Sequence, residues 1–94
     1  MDVAVEISLY PLQQDYLPAI RAFIRRLGAE PQLRVESTSM STQIVGNYEL
    51  IMPLLTRELR TALAGIPRSV VVMKLMGPLQ DSRGAGAGPT APAN

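Results

Sequence analysis

The segment Ser39-Met40-Ser41-Thr42-Gln43-Ile44-Val45-Gly46-Asn47-Tyr48 organises the rest of the chain. Its small polar and β-branched residues predict a strand over 41–45, which Gly46-Asn47 brings to an end. Asn47 is a favourable N-cap residue, so a helix is expected to follow it. The hydroxyl and amide side chains are too many for a plain core strand. We therefore expect this strand to form one wall of a small-molecule site.

The first strand of the chain is expected to form the neighbouring wall. Residues 3–10 alternate between apolar and more polar side chains, which is the period of a strand with one buried face. The alternation assigns Val3, Val5, Ile7 and Leu9 to the core and Ala4, Glu6, Ser8 and Tyr10 to the opposite face. Pro11 ends the strand, because proline cannot donate a hydrogen bond to a neighbouring strand. The second face therefore presents a carboxylate, a hydroxyl and a phenol in a row.

Two helices are predicted from apolar residues at helical spacing. Asp15 can cap the first helix, and Gly28 suits a left-handed stop at its end. The second helix contains Pro53. A start at Asn47 places this proline beyond the first turn, where it should bend the helix, whereas a later start would relieve the conflict. The sequence leaves both starts open.

Strands over 32–38 and 69–76 complete the order strand, helix, strand, strand, helix, strand. This order predicts an α+β fold, the ferredoxin-like βαββαβ sandwich, with an antiparallel sheet and both helices on one face. The last strand is apolar on both faces, yet the helices can cover only one of them. The other face is expected to meet further copies of the chain, as a homodimer or homotetramer. Residues 1–77 are predicted to be one ligand-binding domain, and 78–94 a disordered Gly/Ala/Pro tail.

Composition excludes several kinds of site. The 94 residues include no cysteine and no histidine, which removes thiolate chemistry, Ser-His triads and most zinc sites. The net charge of +1 argues against a nucleic-acid partner. Residues 1–5 lack the basic n-region and long apolar core of a signal peptide, so we expect none, and no apolar run in the sequence is long enough to span a bilayer. We expect a cytoplasmic protein with no membrane partner, no metal and no cofactor.

Three segments resemble the small thiamine-binding proteins with the YkoF-like ferredoxin fold. They are Glu6-Ile7-Ser8-Leu9-Tyr10-Pro11-Leu12, Ser41-Thr42-Gln43-Ile44-Val45-Gly46-Asn47-Tyr48 and Val70-Val71-Val72-Met73-Lys74-Leu75. The resemblance covers roughly residues 3–76. It implies an oligomeric protein that binds thiamine or its hydroxymethyl-pyrimidine moiety without catalysing a reaction.

The resemblance also suggests which residues would hold such a ligand. Glu6 could accept a hydrogen bond from the exocyclic amine, and Tyr10 could supply stacking area. Polar groups for the ring nitrogens and the hydroxyl would come from Ser8, Ser41, Thr42 and Gln43, with Lys74 at the end of the last strand. Strand alternation points Thr42 away from Ser41 and Gln43, so one wall cannot hold all of them without a bulge.

Other interpretations remain open for the same residues. Glu6 and Lys74 could form only an ion pair, and Tyr10 could pack at the edge of the core. The whole domain could be a structural or regulatory interaction module with no small ligand. An enzyme is disfavoured, since acylphosphatases share this topology but their glycine-rich anion loop is missing here. An RNA-binding sheet would need more aromatic residues and a basic surround.

Overall fold

The computed structural model describes residues 1–65 and 68–79. Its elements, in chain order, are β1 (Asp2–Pro11), α1 (Leu17–Leu27), β2 (Arg34–Ser37), β3 (Thr42–Asn47), α2 (Tyr48–Ala64) and β4 (Ser69–Met76). The strands form one antiparallel sheet in the order β2-β3-β1-β4. The predicted α+β ferredoxin-like fold is confirmed.

The core lies between the helices and one face of the sheet. Alternation in β1 is as predicted, since every second side chain from Val3 to Leu9 is buried. Ile44 of β3, Phe23 and Leu27 of α1, and Ile51 and Leu55 of α2 are at most 2% exposed. Both helices therefore bury their apolar stripes on the same face, and the other face of the sheet is left open.

The strand register leaves part of β1 without one of its neighbours. β3 pairs with β1 from Asp2 to Ile7, whereas β4 pairs with β1 from Ala4 to Pro11. Beyond Ile7, β1 therefore runs past the start of β3 and has β4 alone beside it among the described strands. This overhang is where the groove described below forms.

Both predicted ends of α1 are wrong in detail. The N-cap residue is Tyr16, with no capping side chain, and Asp15 lies one residue too early. Pro18 near the helix start lacks an N–H, which leaves fewer free donors for a cap to satisfy. Gly28 has φ −77°, so the chain leaves the helix in a right-handed conformation. The Gly28 N–H donates to the carbonyl of Ile24 at 3.0 Å, which makes a left-handed stop unnecessary.

The structure resolves the start of α2 in favour of the earlier position. The Asn47 side chain accepts a hydrogen bond from the Glu49 N–H at 2.8 Å, as an N-cap residue should. Pro53 therefore lies inside the helix. Its side chain is exposed, so water can reach the backbone carbonyl that loses its helical partner.

β4 is covered less than its sequence suggests. It is an edge strand, and the helices pack mainly against β1 and β3. Met73 and Leu75 point toward the helix side but are still 42% and 47% exposed. The helices therefore cover the inner face of this strand only in part.

Most of the predicted tail, 78–94, lies outside the described residues. Its first two residues are described, and the Leu79 N–H donates to the carbonyl of Asp2 at 2.8 Å. No helix in the described part of the chain is long and apolar enough to cross a membrane.

Glu58 is a charged residue in the interface between the helices. Its carboxylate accepts hydrogen bonds from Arg26 of α1 at 2.6 Å and from Arg57 at 3.0 Å. Burial raises the pKa of Glu58, but the hydrogen bonds and charges of Arg57 and Arg26 outweigh burial and hold the pKa below its ordinary value of 4.5. The ionised form therefore stabilises the fold.

This pKa shift predicts a pH-dependent stability. Glu58→Gln should lower the free energy of unfolding by about 1–3 kcal/mol near neutral pH, because the arginines lose a charged acceptor. Because the pKa is lower in the folded state, the difference from wild type should shrink as pH falls through that pKa. Urea unfolding at a series of pH values measures this difference in the free energy of unfolding, and Asp15→Asn, at an exposed carboxylate, is the control. A difference that stays constant down to pH 3 would contradict the assignment.

Candidate functional site

The structure divides the predicted site residues into two groups. Ser8, Tyr10, Ser41 and Thr42 line a groove of about 230 Å³ at the overhanging end of β1. The remaining three, Glu6, Gln43 and Lys74, line an open depression of about 300 Å³ on the free face of the sheet. One hydrogen bond connects the groups, from the Ser41 hydroxyl to the Glu6 carboxylate at 3.0 Å.

The groove has an apolar floor. Ile20, Phe23 and Ile24 of α1 contribute the helix side, and Ile7 and Leu9 of β1 contribute the sheet side. Because β3 begins only opposite Ile7, the space beside the end of β1 is filled by the turn between β2 and β3 rather than by a strand. The floor is therefore an extension of the hydrophobic core that remains accessible from one side.

The turn that closes the groove is braced by Thr38. The Thr38 hydroxyl accepts hydrogen bonds from the N–H groups of Met40 and Ser41 at 3.0 and 3.2 Å. The Thr38 N–H in turn donates to the Ser41 carbonyl at 2.9 Å. Such side-chain bonds hold the turn in one conformation. The turn residues that line the groove, Thr38, Ser39, Met40 and Ser41, are thereby given a defined arrangement.

Two groove serines have their donors engaged. The Ser8 hydroxyl donates to the Met40 carbonyl at 3.1 Å, and the Ser41 hydroxyl donates to Glu6. A hydroxyl has one proton to donate but can also accept, so both oxygens can still accept a hydrogen bond. This part of the groove therefore favours a ligand that brings N–H or O–H donors.

Thr42 lies on the inner side of the sheet, 4% exposed, as alternation predicts relative to Ser41 and Gln43. Its hydroxyl shares a hydrogen bond of 2.7 Å with the Ser37 hydroxyl, and either oxygen can be the donor. The pair can thus switch the direction of its hydrogen bond to match a ligand. Thr42 therefore lies at the inner end of the groove, on the other side of the strand from Ser41 and Gln43.

Two tyrosines flank the groove. Tyr10 at the end of β1 is 51% exposed, and Tyr16 just before α1 is 46% exposed. An exposed aromatic ring offers an apolar surface to a planar ligand together with a polar hydroxyl. The prediction assigned stacking to Tyr10 alone, and the structure brings Tyr16 to the same groove.

The open depression has a different character. The Lys74 ammonium lies 3.7 Å from the Glu6 carboxylate, and the two side chains are 78% and 40% exposed. The predicted ion pair is therefore present, but an exposed pair contributes little to stability. Gln43 pairs directly opposite Glu6 on β3. Because the depression is more open than the groove, it encloses a small ligand less well.

Several groove residues were not anticipated from the sequence. Tyr16, Thr38, Ser39, Met40 and the α1 residues of the floor are among them. The Thr38-x-x-Ser41 spacing is a usable signal for a braced turn. The apolar residues of α1 have the spacing of a helix that faces the core, and the sequence gives no sign that some of them line a cavity. In the described part of the chain, no three acidic side chains come together as a potential metal site.

The fold occurs in solved structures with very different sequences. A Thermotoga maritima protein, whose name provisionally assigns it to thiamine biosynthesis or salvage, is 19% identical with a TM-score of 0.76; the alignment covers 92% of this chain and 97% of that one. Protein SP2199 from Streptococcus pneumoniae is 18% identical with a TM-score of 0.75, over 89% and 96% of the two chains. A domain of unknown function from Bacillus cereus is 15% identical with a TM-score of 0.70, over 83% and 77%.

These similarities establish the ferredoxin-like fold, and at such low identity they establish nothing finer. No protein-family model matches the sequence, and the comparison with curated proteins gave no match. The resemblance to YkoF-like proteins is consistent with these structures at the level of the fold.

Proposed function

We propose that this protein binds the aminopyrimidine part of thiamine, or the free hydroxymethyl-pyrimidine, in the groove at the end of β1, without catalysing a reaction. The observation that carries the proposal is the pairing of an apolar floor with two serine hydroxyls whose donors are already engaged. The exocyclic amine of an aminopyrimidine can donate hydrogen bonds to these two serine oxygens, and its aromatic ring can pack on the apolar floor.

The size of the groove favours one ring. Sites for drug-sized molecules usually measure about 300–1,000 Å³, and the groove measures about 230 Å³. A single pyrimidine therefore fits better than both rings of thiamine. With thiamine as the ligand, the cationic thiazolium ring would remain outside, beside Tyr10 and Tyr16, where exposed aromatic faces attract a cation.

Glu6 supports the groove from behind rather than lining it. Its carboxylate holds the Ser41 hydroxyl in place, and Lys74 lies next to it on the open face. This arrangement gives Glu6 a positioning role in the proposal. The thiamine-related name of the Thermotoga maritima protein supports the choice of ligand class.

Thermal unfolding with candidate ligands tests the proposal. A ligand at 100 times its Kd adds about 2.7 kcal/mol of stability to the folded state. For a domain of this size, that should raise Tm by on the order of 10 °C. Hydroxymethyl-pyrimidine and thiamine should both raise Tm, and the isolated thiazole alcohol should not. If neither pyrimidine-bearing compound raises Tm, the proposal is wrong.

A pair of variants that lie close together in the sequence locates the binding site. Ser41→Ala removes an acceptor from the groove and should weaken pyrimidine binding by about tenfold, the value of one hydrogen bond. Gln43→Ala changes the open face instead and should leave the Kd unchanged. Calorimetric titration of both variants measures the difference. Equal losses in the two, or a loss in Gln43→Ala alone, would place the site on the open face.

A protein-interaction module is the second candidate. The exposed apolar residues of β4 favour it, because Val70, Val72 and Met76 are 47–63% exposed on the free face of the sheet. Such surfaces commonly mark sites of association. The absence of catalysis and a cytoplasmic location remain predictions. Turnover of a thiamine phosphate that is lost in Glu6→Gln would contradict the first of them.

A further inference from the structure

The protons of two groove serines are held by groups that can only accept a hydrogen bond. The Ser8 hydroxyl donates to the main-chain carbonyl of Met40 at 3.1 Å. The Ser41 hydroxyl donates to the Glu6 carboxylate at 3.0 Å. A carbonyl and a carboxylate have no proton to offer in return, so neither hydrogen bond can reverse its direction. Both serines therefore present an acceptor oxygen to the groove, and not a donor.

The Thr42 hydroxyl, at the inner end of the groove, behaves differently. It shares a hydrogen bond of 2.7 Å with the Ser37 hydroxyl, and either oxygen can be the donor. This pair can adapt to a ligand group that donates or to one that accepts. Among these hydroxyls, discrimination between donors and acceptors on the ligand therefore rests with Ser8 and Ser41.

The two serines differ in what fixes their protons. The partner of Ser8 is main chain, which is present whatever the side chain at position 40. The partner of Ser41 is a side chain, that of Glu6, which lines the open depression and not the groove. One residue outside the groove thus determines whether Ser41 accepts or donates within it.

We propose that Glu6 sets the ligand specificity of the groove by holding Ser41 as an acceptor, so that the protein selects an aminopyrimidine over its deaminated oxo counterpart. This inference rests on the pyrimidine site proposed above. Glu6 is a positioning residue in it, since the carboxylate acts through the Ser41 hydroxyl and does not contact the ligand.

The two pyrimidines have nearly the same shape but opposite hydrogen-bonding groups along one edge. The exocyclic amine donates, and the ring nitrogen beside it accepts. Deamination replaces the amine by a carbonyl oxygen, which only accepts, and leaves a proton on the ring nitrogen. A carbonyl oxygen placed against Ser8 and Ser41 sets acceptor against acceptor and leaves these groups unpaired. Sites built around hydrogen bonds reject a mismatched isostere for this reason.

Lys74 makes the effect of a Glu6→Gln substitution predictable. The Lys74 ammonium lies 3.7 Å from Oε1 of Glu6, whereas the Ser41 hydroxyl bonds to Oε2. A glutamine at this position turns its amide oxygen toward the ammonium and its NH₂ group toward Ser41. The Ser41 oxygen then accepts from the amide, and its own proton becomes free to donate into the groove.

The Glu6→Gln variant should therefore lose the preference for the amino compound. Calorimetric titration with hydroxymethyl-pyrimidine and with its oxo analogue, at mildly alkaline pH where both are uncharged, gives the ratio of the two Kd values. Wild type should bind the amino compound at least about tenfold more tightly, and the ratio should fall by at least about tenfold in Glu6→Gln. Because both values come from one folded preparation, a general loss of stability cancels in the ratio.

Glu36→Gln is the matched control for the lost charge. Glu36 is an exposed carboxylate on the same face of the sheet, and the register places it opposite Gln43, which in turn lies opposite Glu6. It does not line the groove. This variant loses the same charge without affecting the Ser41 proton, so its ratio of Kd values should equal that of wild type.

A double variant shows whether Glu6 acts through Ser41. In a Ser41→Ala protein there is no hydroxyl for Glu6 to orient, so adding Glu6→Gln should leave the ratio of Kd values unchanged. If Glu6 only supported the fold, Glu6→Gln would weaken the binding of both compounds equally and would not change their ratio. Circular dichroism confirms that each variant is folded before titration.

The outcomes separate this inference from the proposed function. Equal affinity of wild type for the two compounds, or an unchanged ratio in Glu6→Gln, would overturn the inference and leave the pyrimidine site in place. The same fall in the ratio with and without the Ser41 hydroxyl would also overturn it. If wild type binds neither compound, the pyrimidine site itself is wrong, and the inference is wrong with it.

Discussion

Phe23→Ala is expected to lower the free energy of unfolding by about 3–5 kcal/mol, the usual cost of removing a buried aromatic side chain. Phe23 is 2% exposed and contacts the core from α1, while its other side forms part of the groove floor. A domain of this size has only about 5–15 kcal/mol of stability. The variant should therefore remain folded at low temperature but unfold at much lower urea concentration.

Leu27→Ala is the control that separates stability from binding. Leu27 lies one turn further along α1 and is 0% exposed, but it does not line the groove. Its truncation should cost about 2–5 kcal/mol. At a temperature where both variants are folded, Phe23→Ala should also change the affinity for hydroxymethyl-pyrimidine, and Leu27→Ala should not. Equal affinities in both variants would show that the floor of the groove does not contact the ligand.

The fold follows from sequence patterns that are local. Alternation of apolar and polar residues in β1 indicates one buried face, whatever the position of the strand in the sheet. The observed strand extends the predicted range 3–10 by one residue at each end. The predicted last strand, 69–76, coincides with β4. Asn47 caps α2 because its side chain needs only the N–H two residues ahead. Such signals act within a few residues and need no knowledge of the tertiary structure.

The ends of α1 show where local reasoning fails. Asp15 and Gly28 are suitable capping residues by type, yet neither plays the predicted role. Either end of a helix can be formed in several ways, and residue type alone does not select among them. A capping side chain contributes only about 1 kcal/mol to the stability of a helix, so tertiary packing can override its preference.

The site was predictable in its residue types but not in its arrangement. Ser8 and Ser41 come together because the turn between β2 and β3 lies beside the end of β1 that runs past β3. The separation of Glu6, Gln43 and Lys74 from the groove depends on the register and on where β3 begins, and neither is visible in the sequence. Tyr16 reaches the groove only because α1 starts beside the end of β1.

Filling the groove should abolish binding without unfolding the protein. Ile24 lines the groove from α1 and is only half buried, so its side chain borders open space. Ile24→Trp adds a bulky ring that can extend into the roughly 230 Å³ of the groove rather than into packed core. Pyrimidine binding should weaken by at least about tenfold, or 1.4 kcal/mol, because the ligand and the indole compete for one volume. Calorimetric titration with hydroxymethyl-pyrimidine measures the loss.

Leu63→Trp is the matched control for this variant. Leu63 is 46% exposed on α2 and does not line the groove, so a tryptophan there adds the same bulk to a helix surface elsewhere. It should bind hydroxymethyl-pyrimidine as wild type does. The indole of Ile24→Trp should also show blue-shifted fluorescence, because it is shielded from water in the groove, whereas that of Leu63→Trp should emit as an exposed ring. Full pyrimidine affinity in an Ile24→Trp protein with a buried indole would mean that the ligand binds outside the groove, leaving the depression around Glu6 and Gln43 as its site.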